Sequence, residues 1–254
     1  MRQDLLPLLA YTAMSNQSTS VAMPLTAAWA LHLAAAHLVD AAQDGGSLEG
    51  LHQSILALGA ANVALAELNA DRDTLCDLLD AMGRVAALGA RAQGDEYVYG
   101  RTWSRAAYFR SIAGKAAAII ATGIWLGGRL ATVDEQILAA LQEFGLALGM
   151  AIQISDDCLD LAEDLVNGTF TLPVIEGLAL VEHPDHPTLK QLLSQQPIKV
   201  ENTQEIMQIL ERMGALAKCQ QVIRAYQIQA AAIFTLFPSL EPYFASYVAA
   251  QSET

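Results

Sequence analysis

The chain of 254 residues is poor in charged and aromatic side chains, which make up 16% and 6% of it, and it has no cluster of lysine and arginine. Its formal charge is −13. Because proteins bind the phosphates of nucleic acids through clustered Lys and Arg, this composition disfavours nucleic acid as a partner. A protein this acidic needs a metal ion to handle an anionic ligand.

Cysteine is scarce as well. Cys76, Cys158 and Cys219 are scattered, odd in number and without C-x-x-C spacing, which favours a reducing compartment over an oxidising one. Asp4 and Pro7 interrupt the amino-terminal segment where a secretory signal needs a continuous apolar run. We therefore predict a cytoplasmic protein.

Long stretches with the alternating pattern of β-strands are also missing. Hydrophobic residues make up 53% of the chain, and Ala, Leu and Ile recur throughout it. This composition favours helices that are apolar nearly all round and buried in a bundle. We predict one all-α domain over residues 1–254.

Two apolar runs, 21–39 and 136–155, approach the length of a membrane-spanning helix. Pro24 and two histidines interrupt the first run, and Glu143 interrupts the second. Such interruptions are typical of buried bundle helices. We predict no transmembrane segment, although a lipid substrate would be compatible with a membrane-facing edge.

Caps, turns and apolar periodicity predict the limits of the helices. The expected helices are 3–14; 19–44, stopped by 45–47; 48–68; one capped at Asp73 and ending near 93–94; one capped by Ser104 and ending at 127–128; one starting at 132–135; and 205–213 and 215–237. Residues 182–203 are expected to form a surface excursion with one short helix, and Pro238 and Pro242 to end the chain in a polar tail.

Three carboxylates, Asp156, Asp157 and Asp160, crowd the end of a long apolar helix. Like charges at this spacing repel one another unless cations lie between them. Oxygen ligands suit Mg²⁺, which keeps most of its waters and shares one or two carboxylates with a substrate phosphate. Asp40 and Asp44 end a second long apolar helix in the same way. Two such helix ends facing each other across a cavity mouth would suit a metal-bridged diphosphate.

These two stretches resemble the two D-D-x-x-D motifs of the trans-isoprenyl diphosphate synthase, or polyprenyl synthetase, family. The second motif is intact at 156–160, and 168–173 resembles the Gly, Thr, Leu, Pro segment that follows it in that family. Gln93-Gly94 and Gly114-Lys115 agree in order and spacing. The resemblance covers roughly residues 5–180. It implies a helical bundle of the isoprenoid synthase type with a central apolar cavity.

The chain departs from the family pattern at several positions. Ala41 replaces the second acid of the first motif, and 45–48 stands where Arg-Arg-Gly is expected. Ala116 replaces a Thr, Thr169 replaces a Lys, and no Gly-Lys-Arg segment precedes residues 6–9. In the family most of these basic residues hold isopentenyl diphosphate. The allylic, metal-bound site is therefore better preserved than the acceptor site.

The resemblance also implies roles for single residues. Lys115 would bind the diphosphate, and Gln153 would orient a water or a ligand. The small side chains of Ala35 and Ala36 suggest a deep cavity for a hydrocarbon tail, with Leu31 or His32 as its floor. The expected Mg²⁺ ligands are Asp40, Asp44, Asp156, Asp157 and Asp160.

The function implied is that of a Mg²⁺-dependent prenyltransferase, which ionises an allylic prenyl diphosphate and transfers the prenyl group to an acceptor, most simply isopentenyl diphosphate. Loss of the basic acceptor residues leaves a terpene synthase on the same fold as a close alternative. The change at Ala41 leaves a third, a non-catalytic partner subunit of a prenyl diphosphate synthase. By resemblance we expect a homodimer, whereas the third alternative implies a heterodimer.

Overall fold

The all-α prediction is confirmed. A computed structural model of the chain describes residues 2–43, 48–102, 104–195 and 197–249, and these residues form helices without a strand. The α-helices of the described residues are α1 Leu6–Met14, α2 Met23–Gln43, α3 Leu48–Ala66, α4 Arg72–Tyr99, α5 Arg105–Ile112, α6 Ala118–Ala131, α7 Glu135–Leu159, α8 Leu161–Asn167, α9 Leu172–Leu178, α10 His186–Ser194, α11 Val200–Arg212, α12 Ala215–Ala231, α13 Ile233–Leu236 and α14 Glu241–Ala249. Asp44 and the predicted stop at 45–47 lie outside the described residues.

Helix α7 runs through the core, and small residues let α6 approach it closely. A Cβ atom added to Gly145 would lie 2.4 Å from the Cα of Ala121, and one added to Gly149 would lie 2.5 Å from the Cα of Ala117. Side chains at these positions would force the two helices apart. The glycines thus hold the acid-bearing end of α7 against the segment that carries Lys115.

The predicted helix from Ser104 to 127–128 is interrupted. Ser104 does cap its start, but Ala113–Ala117 forms a π-helical turn, and α6 then continues to Ala131. Gly127 and Gly128 do not end the helix, because they lie inside it and pack closely against α1 and α7 respectively. A π-turn inserts an extra residue into the helical repeat and is frequent at functional sites. Lys115 lies within this turn.

Helix α4 differs from its prediction at both ends. Asp71, not Asp73, is the cap, and its Oδ1 accepts a hydrogen bond of 2.9 Å from the backbone N–H of Thr74. The helix continues past 93–94 to Tyr99. A single glycine inside a helix costs only about 1 kcal/mol, which packing can offset.

The carboxyl-terminal third is more ordered than predicted. Within the expected surface excursion, Leu189 and Leu193 of α10 are buried in a hydrophobic cluster with α11. Pro242 does not end the chain, because it lies in the first turn of α14, where proline is tolerated. Phe244 of the same helix is completely buried. The expected polar tail is therefore partly a core helix.

Among the described residues, three helical segments are long and apolar enough to cross a membrane, judged by length and composition alone. They are Thr19–Ala42, Arg105–Ala131 and Glu135–Leu159. In their most apolar windows, 44%, 72% and 61% of the residues respectively are buried inside the fold. The predicted absence of a transmembrane segment stays a prediction.

Candidate active site

The structure brings most of the predicted site residues to one polar cavity of about 200 Å³. The carboxyl-terminal ends of α2 and α7 border it, together with side chains from α4, α5, the π-turn and α8. Six carboxylates and one lysine line it. The lining residues are Asp40, Glu96, Tyr108, Ile112, Lys115, Gln153, Asp156, Asp157, Asp160, Asp164 and Thr171.

Asp157 is the most buried acid of the cavity, with 6% of its surface exposed. The hydroxyl of Tyr108 donates to its Oδ2 over 2.5 Å, and the amide of Gln153 donates to its Oδ1 over 2.7 Å. Burial raises the pKa of Asp157 to about 6, although these two hydrogen bonds and Lys115 act to lower it. Both oxygens are thus already engaged, and Gln153 orients this carboxylate.

Asp156 and Asp160 flank Asp157 and are exposed. Although much of the Asp156 side chain is exposed, partial burial and then the charge of Asp160 raise the pKa of its carboxyl. Asp164 of α8 was missed by the sequence analysis, although it follows Asp160 by one helical turn. Burial, followed by the charge of Asp157, raises the pKa of Asp164 to about 7, against the opposing effect of Lys115.

Lys115 forms an ion pair with Glu96 of α4. Burial acts to lower the pKa of Lys115, but the charge and hydrogen bonding of Glu96 outweigh it, so the pKa is raised. Glu96 was also missed from the sequence. Its side chain reaches the cavity because α4 continues beyond Gly94. Its position three residues after Gln93, about one helical turn, could have indicated that it lies near Asp40.

Asp40 lies on the other side of the cavity, near the end of α2. It is exposed, and its Oδ1 accepts a hydrogen bond of 2.7 Å from the side-chain amide of Gln93. This bond links α2 to α4. Asp44, the predicted partner of Asp40 in the first motif, lies outside the described residues.

The four residues predicted to contact a hydrocarbon tail do not line this cavity. Ala35 is buried, Leu31 is partly buried and Ala36 is exposed. His32 is buried and stacks on Trp29, with ring centroids 5.7 Å apart, and burial lowers the pKa of its imidazole. Contact of these residues with a tail stays a prediction.

The segment after α8 is held by the end of α4. Arg101 donates from its Nε to the carbonyl of Gly168 over 2.8 Å, and the N–H of Phe170 donates to the carbonyl of Gly100 over 3.0 Å. Gly168 has a φ of 85°, a left-handed conformation that glycine adopts without strain. These contacts fix the position of Thr171 at the cavity wall.

The donor set of the cavity fits a hydrated divalent cation better than a metal cage made by the protein alone. Among the described residues, no group of three His, Cys, Asp or Glu side chains converges closely enough to hold a metal by itself. Mg²⁺ normally keeps several waters and takes only one or two carboxylates plus substrate phosphates. The cavity lining has six acids, one lysine and no arginine. Its negative charge can therefore attract a divalent cation that keeps several of its waters.

Comparison with known proteins identifies the family of the chain. A sequence model of the family described as "Polyprenyl synthetase" matches residues 46–210. The short chain isoprenyl diphosphate synthase of Methanothermobacter thermautotrophicus is 31% identical over 119 residues, which are 42% of this chain and 36% of that protein. The heptaprenyl diphosphate synthase component 2 of Bacillus subtilis is 34% identical over 134 residues, 47% of this chain and 36% of that protein. The matched part is thus about a third of the length of these relatives.

Solved structures show the same architecture. The geranylgeranyl pyrophosphate synthetase of Pyrococcus horikoshii superposes with a TM-score of 0.89 at 17% identity, covering 100% of this chain and 85% of that one. The polyprenyl synthase of Caulobacter crescentus, solved with calcium and isoprenyl diphosphate, gives 0.88 at 21% identity, covering 99% and 84%. The isoprenoid synthase type of fold is thereby confirmed. With the model match over residues 46–210, the chain belongs to the polyprenyl synthetase family.

Proposed function

We propose that the protein is a Mg²⁺-dependent prenyltransferase that binds an allylic prenyl diphosphate and transfers the prenyl group to an acceptor. The observation that carries this proposal is the polar cavity, in which six carboxylates and Lys115 meet at the ends of two apolar helices. Family membership and the relatives' names support it. Isopentenyl diphosphate is the simplest acceptor.

In this proposal Asp156 and Asp160 on one side and Asp40 on the other hold the cations, whereas Asp157, also predicted as a ligand, has both oxygens engaged by Tyr108 and Gln153. Bound Mg²⁺ supplies positive charge to the departing diphosphate. Asp157, held by Tyr108 and Gln153, fixes the end of α7.

The reaction breaks the C–O bond of the allylic diphosphate, and the electron pair leaves with the diphosphate. Lys115 stabilises that developing charge because its ammonium lines the cavity and its side chain is largely buried, with 21% exposed. The double bond of the acceptor forms the new C–C bond to the allylic cation, and the resulting cation then loses a proton to the released diphosphate.

One incubation separates this proposal from its closest rival. Purified protein with Mg²⁺ is mixed with ten-, fifteen- or twenty-carbon allylic diphosphates, with and without isopentenyl diphosphate. The proposal expects a longer diphosphate only when the five-carbon unit is present. A hydrocarbon or alcohol formed without that unit would show a terpene synthase instead, and no product would contradict both.

A second candidate function is that of a subunit in a two-component synthase. One relative is named component 2 of a heptaprenyl diphosphate synthase, and Ala41 and Thr169 replace an acid and a base of the family pattern. An inactive chain that raises the activity of a co-expressed relative would support this candidate.

We also propose a homodimer formed through α3. This helix exposes a stripe of apolar side chains at helical spacing, Leu48 at 74%, Leu51 at 38%, Ile55 at 68% and Leu58 at 38%. Contiguous exposed apolar patches mark interaction sites in soluble proteins. Light scattering after size exclusion should give twice the chain mass, and Ile55→Glu should give a monomer. A wild-type monomer would contradict the homodimer and favour a different partner.

We propose a cytoplasmic location from the cysteines. Cys76, Cys158 and Cys219 are all free thiols, as a reducing compartment allows. Cell fractionation tests this, and recovery of the protein in the membrane fraction would contradict it.

A further inference from the structure

Thr171 is an N-cap residue whose side chain does not cap its helix. It precedes α9 with a φ of −82° and a ψ of 180°, and its hydroxyl makes no cap hydrogen bond. Its backbone carbonyl caps α9 instead and accepts hydrogen bonds from the N–H groups of Val174 at 3.0 Å and Ile175 at 3.1 Å. A threonine at this position normally satisfies a free backbone N–H with its side chain, typically stabilising the helix by about 1 kcal/mol.

The hydroxyl of Thr171 makes no other hydrogen bond within the part of the chain that the structure describes. Thr171 is 4% exposed, and its Oγ1 is buried without a hydrogen-bond partner among the described residues. Buried polar groups are nearly always paired, because leaving one unpaired destabilises the fold. Since Thr171 lines the acidic cavity, the missing partner is expected to be something that enters the cavity.

Two other donors around the cavity, Tyr108 and Gln153, already donate to Asp157, whereas Lys115 is paired with Glu96 and keeps further N–H groups for a ligand. An anion that enters with cations still needs hydrogen-bond donors for its own oxygens. The Thr171 hydroxyl is a donor whose proton makes no hydrogen bond to the described residues, and the contacts of Gly168 and Phe170 with the end of α4 hold it in place.

We propose that the hydroxyl of Thr171 donates a hydrogen bond to a non-bridging oxygen of the substrate diphosphate. Thr171 is thus a binding residue of the site. Thr169, two residues earlier, stands where the family pattern has a lysine, and the Thr171 hydroxyl supplies a neutral donor from the same segment. This inference rests on the proposed function, because it requires that the cavity bind diphosphate.

The test combines two measurements on Thr171→Val, which keeps the shape of the side chain and removes the hydroxyl. The first is the melting temperature of the protein without metal. It should rise by about 2 °C or more, because an unpaired buried hydroxyl is lost. The second is the affinity for inorganic pyrophosphate in the presence of Mg²⁺, measured by calorimetry. It should fall by on the order of tenfold, the usual consequence of removing one hydrogen bond to a charged group.

Two matched variants serve as controls. Thr171→Ser keeps the hydroxyl and should keep pyrophosphate affinity close to that of the wild type. Thr203→Val removes an equally buried hydroxyl from α11, one that donates to the carbonyl of Val200 over 2.8 Å. This control should lower the melting temperature and leave pyrophosphate binding unchanged. Opposite effects of the two valine variants on stability are the signature of a hydroxyl that has a partner only in the complex.

Each contrary result has a separate meaning. If the wild type binds pyrophosphate and Thr171→Val binds it equally well, the role of Thr171 is overturned while the proposed function stands. A lower melting temperature for Thr171→Val would show that the hydroxyl is already paired in the free protein, which also overturns the inference. If the wild type binds no pyrophosphate with Mg²⁺, the proposed function fails together with the inference.

Discussion

The two acidic sides of the cavity are built differently. On the α7 side, Asp157 is buried and receives hydrogen bonds from Tyr108 of α5 and Gln153 of its own helix. On the α2 side, Asp40 is exposed and receives one hydrogen bond, from Gln93 of α4. The difference shows that donors on the surrounding segments, more than the acids themselves, determine how firmly a carboxylate is held. Asp157 thereby fixes the end of α7 that carries Asp156 and Asp160, so the α7 side should dominate binding of the metal and the diphosphate.

The largest expected effect comes from removing an acid on the preorganised side. Asp156→Ala should lower Mg²⁺-dependent release of diphosphate from an allylic diphosphate by roughly a thousandfold, since a metal ligand supplies several kcal/mol of charge stabilisation in the transition state. Asp40→Ala should lower the same rate by less. An Asp156 variant with unchanged release would refute the metal assignment, and equal losses in both variants would erase the contrast between the two sides.

The next effect concerns Asp164 of α8, which destabilises the metal-free protein when its buried carboxyl is charged. Burial raises the pKa of Asp164 to about 7, above the ordinary value of 3.8, so the folded state binds more protons than the unfolded state between these pH values. The free energy of unfolding therefore falls as pH rises through that window. Asp164→Asn should stabilise the metal-free protein by on the order of 2 kcal/mol at pH 8. The gain should vanish near pH 4.

Urea denaturation of both proteins across this pH range measures the difference directly. Glu163→Gln, on the exposed side of α8, is a matched control and should show no such pH dependence. A gain for Asp164→Asn that grows as pH falls would contradict the proposed burial effect.

A smaller effect tests the hydrogen bonds that hold the acids. Tyr108→Phe removes the donor to Asp157 and should lower turnover about tenfold, as loss of an orienting group around a metal site commonly does. Gln93→Ala removes the donor to Asp40 and should have a smaller effect, because that carboxylate is exposed and water can replace the amide. Turnover and pyrophosphate affinity of both variants should be measured together. A larger loss for Gln93→Ala would reverse the comparison.

Local sequence patterns were sufficient to predict part of the site. The acids Asp156, Asp157 and Asp160 lie at the end of a long apolar stretch, and Asp40 lies at the end of a second one. Lys115 follows a glycine. Each could therefore be singled out without a structure. The structure places all five in the cavity lining. The helices themselves could be predicted for the same reason, because their apolar periodicity is local.

What the sequence could not predict depends on contacts between distant segments. Glu96 enters the cavity only because α4 continues past Gly94. The π-turn around Lys115 interrupts what otherwise has the pattern of one continuous helix. Helix α14 accommodates Pro242 in its first turn, and the burial of Phe244 holds the helix in the core. For Gly94 the local propensity against helix is only about 1 kcal/mol, which tertiary contacts can offset.

The smallest expected effect is the most direct test of the difference between the two sides. Ala41→Asp restores the second acid of the family pattern on α2. Residue 41 is exposed, and adjacent residues on a helix do not face each other, so the new carboxylate would lack the donors that hold Asp157. We expect Mg²⁺-dependent pyrophosphate affinity to change by less than about threefold, the size of effect typical of exposed charge pairs. A tenfold gain would mean that the number of acids, and not the way neighbouring segments hold them, limits binding at the α2 side.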